Sequence, residues 1–225
     1  MTLQSNPSAQ TFFEFLNVPL SNKVRILLLT LIAPLALSFL FPLWRISMVA
    51  PQYPKGLFLD IYSYKLASGN EGRDLEEINV LNHYIGMRKI VREELVDLNW
   101  LPFAIGGLAL LLLRAAALGN IRQLVDMSVV TAYVSCFALG RFAYMLYVFG
   151  HDLDEKAPMD VEPFTPAILG TKQVANFITN SWPLAGSWMI GIFAVGLWAV
   201  TAIALWEGRK HSARVNTAGT RPAMA

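Results

Sequence analysis

The chain has 225 residues, of which 55% are hydrophobic and 15% are charged, with a formal net charge of +2. A soluble domain carries about a quarter charged residues, so the composition excludes an ordinary water-soluble globule. The small net charge, with no basic cluster interleaved with aromatics, excludes nucleic acid as a partner. Cys136 is the single cysteine, which excludes a disulfide framework within one chain.

Residues 1–22 are polar to mildly amphipathic. Phe12, Phe13 and Leu16 recur at roughly helical spacing, which suits a short interfacial helix ended by Pro19, or equally a partly ordered tail. The apolar run that follows starts too late, is too long and lacks the small-residue cleavage site of a signal peptide. Four apolar blocks approach the ~20 residues that a membrane-crossing helix needs. The first, residues 24–44, is interrupted by Pro34 and Pro42, which mark kinks or ends. The second, 100–118, carries Gly106-Gly107, which suits close helix contact. The third, 121–150, is long enough to tilt or to project beyond a bilayer. The fourth, 184–206, has Gly186, Gly191, Ala194 and Gly196 for tight packing.

Lysine and arginine in the short flanks set the orientation. Lys23 and Arg25, Arg114 and Arg122, and Arg209, Lys210 and Arg214 mark three cytoplasmic flanks. The expected architecture is a mainly α, multi-pass protein of the bacterial inner membrane, with four transmembrane helices and both termini cytoplasmic. A cytoplasmic segment 1–22 leads into a membrane domain 23–207, whose outer loops 46–99 and 151–183 build a small periplasmic α+β cap. Residues 208–225 read as a disordered cytoplasmic tail. Trp44, Trp100 and Trp182 would form an outer aromatic belt, with Trp206 on the inner side.

The first outer loop has internal pattern. Residues 51–54 read as a turn, and 56–66 alternate, with Leu57, Leu59 and Ile61 opposite Asp60, Tyr62 and Tyr64, as a strand does. After a loop at 68–72, Asp74 and Glu77 resemble a capping box opening a helix. Its apolar face would be Ile78, Leu81 and Ile85, with Asn79, His83 and Met87 on another face at steps of four. The second outer loop is acidic and rich in proline. Residues 171–180 are expected to form a short amphipathic helix presenting Val174, Phe177 and Ile178.

The chemistry that the residues suggest is soft-metal binding. His83 and Met87 lie four apart on the predicted helix, and His151 and Met159 stand at the same membrane face. Imidazole with thioether suits Cu(I) and suits Mg or Ca poorly. The plain alternative is a hydrogen-bonded histidine and packed methionines. His151 with Asp152 and Asp154 would make a harder cation site, without calcium-loop spacing. His83 and His151 could serve as axial ligands of a noncovalent haem, since the chain has no Cys-x-x-Cys-His run. Arg141 lies within the third apolar block and is a candidate for holding a cofactor or lipid head group, a carboxylate or a helix-end carbonyl, or for snorkelling outward. Met145 and Cys136 could extend a sulfur-lined path or simply pack. Walker A, G-x-S-x-G and H-E-x-x-H runs are absent, so a soluble-type active site is not expected and the protein reads as a non-enzyme.

Three ordered runs carry a family resemblance: Ala50-Pro51-Gln52-Tyr53-Pro54-Lys55-Gly56-Leu57, Ile78-Asn79-Val80-Leu81-Asn82-His83-Tyr84-Ile85-Gly86-Met87, and Gly150-His151-Asp152-Leu153-Asp154 with Ala157-Pro158-Met159. Gly170, Asn176-Phe177 and Ser181-Trp182-Pro183 follow in matching order. Over residues 42–186 the chain resembles a bacterial family of polytopic membrane proteins associated with nitrous oxide reductase accessory genes. The resemblance implies copper delivery or cofactor assembly in the periplasm, and places His83, Met87, His151 and Met159 at motif positions. The expected partners are the lipid bilayer and other membrane or periplasmic proteins, such as a copper enzyme or a copper carrier. Two other readings stay open: an auxiliary structural subunit of a respiratory or photosynthetic membrane complex, and a quinol- or haem-handling subunit.

Overall fold

The computed structural model describes residues 15–174 and 176–219. Phe12 and Phe13 of the expected interfacial helix lie outside the described residues, as does the end of the C-terminal tail. Leu16 sits in a 3-10 turn, Phe15–Asn17. The architecture mixes helix and sheet. Three described helices are long and apolar enough to cross a membrane: Asp97–Leu118, Ile121–His151 and Ala185–Lys210. The first apolar block is realised differently, as helix α1 (Asn22–Thr30) and helix α2 (Ile32–Leu37), and strand β1 (Trp44–Ala50) has already begun where that block was expected to end. Pro34 has no N–H to give to the Thr30 carbonyl, which accounts for the break at Leu31.

The described chain divides into two compact units, one drawn from residues 1–33, 107–132 and 192–225, the other from 34–106 and 133–191. In the first unit, α1 meets the C-terminal end of helix α4 (Asp97–Leu118), and residues 18–20 just before it bond to residues 119–121, where helix α5 (Ile121–His151) begins. The Ser21 hydroxyl caps α1 by accepting from the Val24 N–H at 3.4 Å, and donates to Glu207 at 2.8 Å. Arg25 donates to the Leu20 carbonyl at 3.1 Å, to Ala116 at 3.0 Å, and to the Ala117 carbonyl. The carbonyls of the last turn of α4 have no intrahelical partners, so one guanidinium satisfies two of them and ties α1 to that turn. Leu28, Leu112, Leu124, Phe193 and Leu197 are fully buried in this unit. Helix α6 (Ala185–Gly219) touches α5 here through a Ser128–Thr201 hydroxyl pair at 2.7 Å.

The second unit is built on a five-stranded antiparallel sheet in the order β3-β2-β1-β5-β4. Its strands are β1, β2 (Tyr53–Ile61), β3 (Leu66–Ser68), β4 (Gly170–Val174) and β5 (Phe177–Pro183). The period-two pattern of residues 56–66 is realised in β2 only as far as Ile61; Tyr62 and Tyr64 lie in a turn over 62–65, closed by the Tyr62 N–H on the Lys65 carbonyl at 2.9 Å, before Leu66 opens β3. Leu57 and Leu59 face a core with Met48, Ala50 and Phe177. Asp60 lies on the other face, where Arg45 grips it with two bonds of 2.6 and 2.7 Å and stacks over Phe58 at 4.4 Å. Helix α3 (Arg73–Tyr84) closes the core with Ile78 and Leu81, followed by Ile85, the face that spacing predicted. Burying side chains of this kind contributes about 1.5–3 kcal/mol each.

Two local expectations are corrected. The helix expected at 171–180 is the β4–β5 hairpin. Val174, Phe177 and Ile178 have helical spacing, but burial along β5 alternates, with Phe177 buried and Ile178 exposed. Val174 pairs with Phe177 as the last rung of the β4–β5 ladder. The capping box is also not formed. Gly72 stands at the N-cap, with φ of 101° and no side-chain cap. The Asp74 carboxylate turns inward, almost fully buried, and accepts from the Phe58 N–H at 3.1 Å and the Asn70 amide at 2.6 Å, while Glu77 accepts from the Tyr53 hydroxyl.

Candidate functional site

The site is built where α3 ends. The N–H of Gly86 donates to the His83 carbonyl at 3.2 Å and that of Met87 to the Asn82 carbonyl at 2.9 Å. With Gly86 at φ +77°, this is the glycine-stopped helix end in which two N–H groups satisfy the last orphan carbonyls. The stop separates the residues that spacing had placed on one helical face. Asn79 uses its amide to pair both backbone groups of Ile90, at 3.0 and 2.7 Å. His83 stays on the helix and is exposed. Met87 lies beyond the helix, and its side chain packs, half-buried, against the core of the sheet. The expectation that His83 and Met87 converge from successive turns of one helix is therefore corrected: the helix ends between them.

The loop that follows α5 is tied to this helix end. The N–H of Asp154 donates to the Gly86 carbonyl at 2.8 Å, and that of Met159 to the Tyr84 carbonyl at 3.0 Å. Arg88 forms an ion pair with Asp152. The approach is close enough to require glycine twice. A Cβ on Gly86 would stand 2.9 Å from the Asp154 carbonyl oxygen and 3.0 Å from its nitrogen. One on Gly150 would strike the Phe164 carbonyl, whose own N–H donates to Gly150 at 2.9 Å. Thus two of the sequence runs that carry the family resemblance interlock through their backbones.

His151 is the last residue of α5 and is half-buried. Its ring stacks on Tyr147, with centroids 3.8 Å apart and 20° between planes, and its Nδ1 lies 2.9 Å from the Tyr147 carbonyl. A carbonyl can only accept, so Nδ1 donates in this contact, and Nε2 is the ring nitrogen left for another partner. A backbone carbonyl on one ring nitrogen is the common support for a histidine that ligates through the other. Met159 is 40% exposed. The harder alternative loses its carboxylates: Asp152 is held by Arg88, and Asp154 accepts from the Lys156 N–H at 2.9 Å. Among the described residues no group of three or more His, Cys, Asp and Glu is arranged to hold a metal ion.

Arg141 has a protein partner within its own unit. It makes a two-point pair with Asp97, Nε to Oδ1 at 3.0 Å and Nη2 to Oδ2 at 3.1 Å, and Trp100 Nε1 donates to the same Oδ1 at 2.8 Å. Asp97 opens α4, where a carboxylate also complements the positive end of the helix. Sequence reasoning passed over Asp97, which stands 44 residues from its partner, and over Gly86, whose place just after an apolar helical stripe was a readable stop signal. The chain matches no protein-family model, and comparison with curated proteins and with solved structures finds no match.

Proposed function

We propose that this chain is a non-enzymatic accessory protein of the bacterial inner membrane that handles copper on its periplasmic side, in the manner of the family it resembles. It binds the ion, or a partner carrying it, through the His and Met residues of the two outer loops. In this reading α1 and α2 count as the first of four crossings and both termini are cytoplasmic, in keeping with the basic flanks. The observation that carries the reading is the pair of backbone bonds, Asp154 to Gly86 and Met159 to Tyr84, which holds the second loop against the His83 end of α3. The donor set supports it: an Nδ1-protonated His151 keeps Nε2 for a ligand, and imidazole with thioether favours Cu(I). Cu(I) titration of the purified full-length protein in detergent is the test, with His83→Ala and His151→Ala alongside. A drop in affinity of roughly tenfold or more in at least one variant is expected. Unchanged stoichiometry and affinity in both would sink the proposal.

A second reading, a non-catalytic subunit of a larger respiratory or photosynthetic complex, is favoured by one feature of the long helices. The most apolar stretch of α5 is 6% buried, and a Cβ on Gly106, Gly107, Gly140 or Gly191 would meet nothing within 4 Å. Co-purification with an energy-transducing complex in mild detergent, without copper, would support it over the first.

A further inference from the structure

We infer that His83 and Met159 are the primary ligand pair of this cap, forming a Cu(I) site, and that Met87 is a core anchor and not a ligand. The inference rests on the copper-handling reading and sharpens it. Met87 has two structural tasks already. Its N–H closes the stop of α3 on the Asn82 carbonyl, and its side chain packs against the cluster that includes Leu81 and Ile85. A hydrophobic residue at that position, packed back on the helix it follows, is what this kind of helix end favours. Withdrawing the thioether to reach a metal would open the core.

Met159 is placed the other way. Its N–H is bonded to the Tyr84 carbonyl at 3.0 Å, and its side chain is 40% exposed. That bond places Met159 beside Tyr84, and His83 adjoins Tyr84 with Cα atoms about 3.8 Å apart. The exposed His83 imidazole and the exposed Met159 thioether therefore start from neighbouring backbone positions. Both side chains are flexible and long enough to meet at one ion, and neither has another described partner besides the ring contact of His83 with Tyr84. One imidazole and one thioether make a soft, low-coordinate set that suits Cu(I) and suits Mg(II) poorly. His151, stacked on Tyr147, is available for a further contact through Nε2 but is not what defines the pair.

The test uses full-length protein in detergent with Cu(I) and a competing chelator. The variants are Met159→Leu and Met87→Leu, which keep side-chain volume and so leave the fold intact. Met159→Leu is expected to lose roughly tenfold or more in Cu(I) affinity, and the sulfur scatterer in X-ray absorption at the copper edge is expected to vanish. Met87→Leu is expected to keep both. If the wild-type protein binds Cu(I) and Met159→Leu binds it equally, the assignment fails while copper handling stands. If Met87→Leu also weakens binding, Met87 is a ligand and the assignment is overturned. If the wild-type protein binds no Cu(I), both this inference and the reading beneath it fall.

Discussion

Glycine does opposite work in the two kinds of structure in this molecule. In the cap, Gly86 and Gly150 sit where a Cβ would run into the backbone of the segment that follows α5. In the long helices, Gly106, Gly107, Gly140 and Gly191 have open space where a Cβ would be. The cap thus fixes its own geometry with contacts supplied within the chain. The helix faces leave their lateral packing to whatever surrounds them. Small residues in membrane helices commonly admit a neighbouring helix; no described residue fills the space at these four, whereas Gly196 and Gly208 of α6 are packed against Leu31 and Ile121.

The contrast can be broken most directly at Gly86. Gly86→Ala must hold a left-handed φ and press on Asp154, which together cost about 2–4 kcal/mol. The expected result is a lower melting temperature in detergent and faster hydrogen exchange at the Asp154 and Met159 amides. Gly140→Ala is the matched control, expected to change stability by less than about 1 kcal/mol. Equal losses in the two variants would abolish the distinction.

A smaller effect is expected at the Arg141–Asp97 pair. Asp97→Asn removes the charge from a carboxylate that accepts three described bonds, two of them from Arg141. Hydrogen bonds to charged groups contribute about 1.5–3 kcal/mol, and the partial exposure of this pair places the loss toward the lower end. The double variant with Arg141→Gln should lose less than the sum of the single changes, as a thermal double-mutant cycle would show. Additivity would mean that Arg141 draws its stability from something other than Asp97.

The smallest expected effect is on pH dependence. Tyr53 donates to the Glu77 carboxylate, and that bond, with some desolvation, raises the Tyr53 phenol above its ordinary 10.0. The folded state then holds this proton more tightly than the unfolded chain. The contribution is complete below about pH 10 and is lost as pH rises through the raised folded value. Tyr53→Phe should flatten that upper limb in melts recorded from about pH 9 to pH 11, while leaving the Gly86 comparison unaffected.

Much of this was legible in the residues. Strict alternation through Leu57, Leu59 and Ile61 identified β2, because a sheet with one buried face imposes period two. The stripe Ile78-Leu81-Ile85 identified α3 and its buried side for the matching helical reason. The errors came from residues whose local signal was overruled at a distance. Asp74 has the sequence position of a capping residue, but the Phe58 N–H sixteen positions away competes for its carboxylate and wins inside the core. Val174, Phe177 and Ile178 fit a helix by spacing, yet pairing with β1 decides that they belong to a hairpin. In the site, the identities of His83, His151 and Met159 were readable, whereas the separation of Met87 from His83 was not read, although Gly86 between them encodes it. Apart from the Arg88–Asp152 pair, the bonds that hold the 151–159 segment to the end of α3 are backbone bonds, which side-chain pattern does not record.

A last consequence is mechanical. Just before β1, the chain at residues 42–43 is sewn to the start of α6. Leu184 N–H donates to the Leu43 carbonyl at 2.8 Å, Gly186 N–H to Pro42 at 3.0 Å, and the Ser187 hydroxyl to Leu43 at 2.7 Å. Gly186 permits this, since a Cβ there would stand 2.6 Å from the Phe41 carbonyl oxygen. The seam runs on without interruption into the β1–β5 ladder, from Trp44 opposite Pro183 to Val49 opposite Ile178. Residues 42–49 and 178–187 are therefore joined along one continuous length of backbone, from the entry of α6 through the sheet. The first turn of α6 is thus fixed to the strands beside it, so a displacement of that turn is shared at once with β1 and β5.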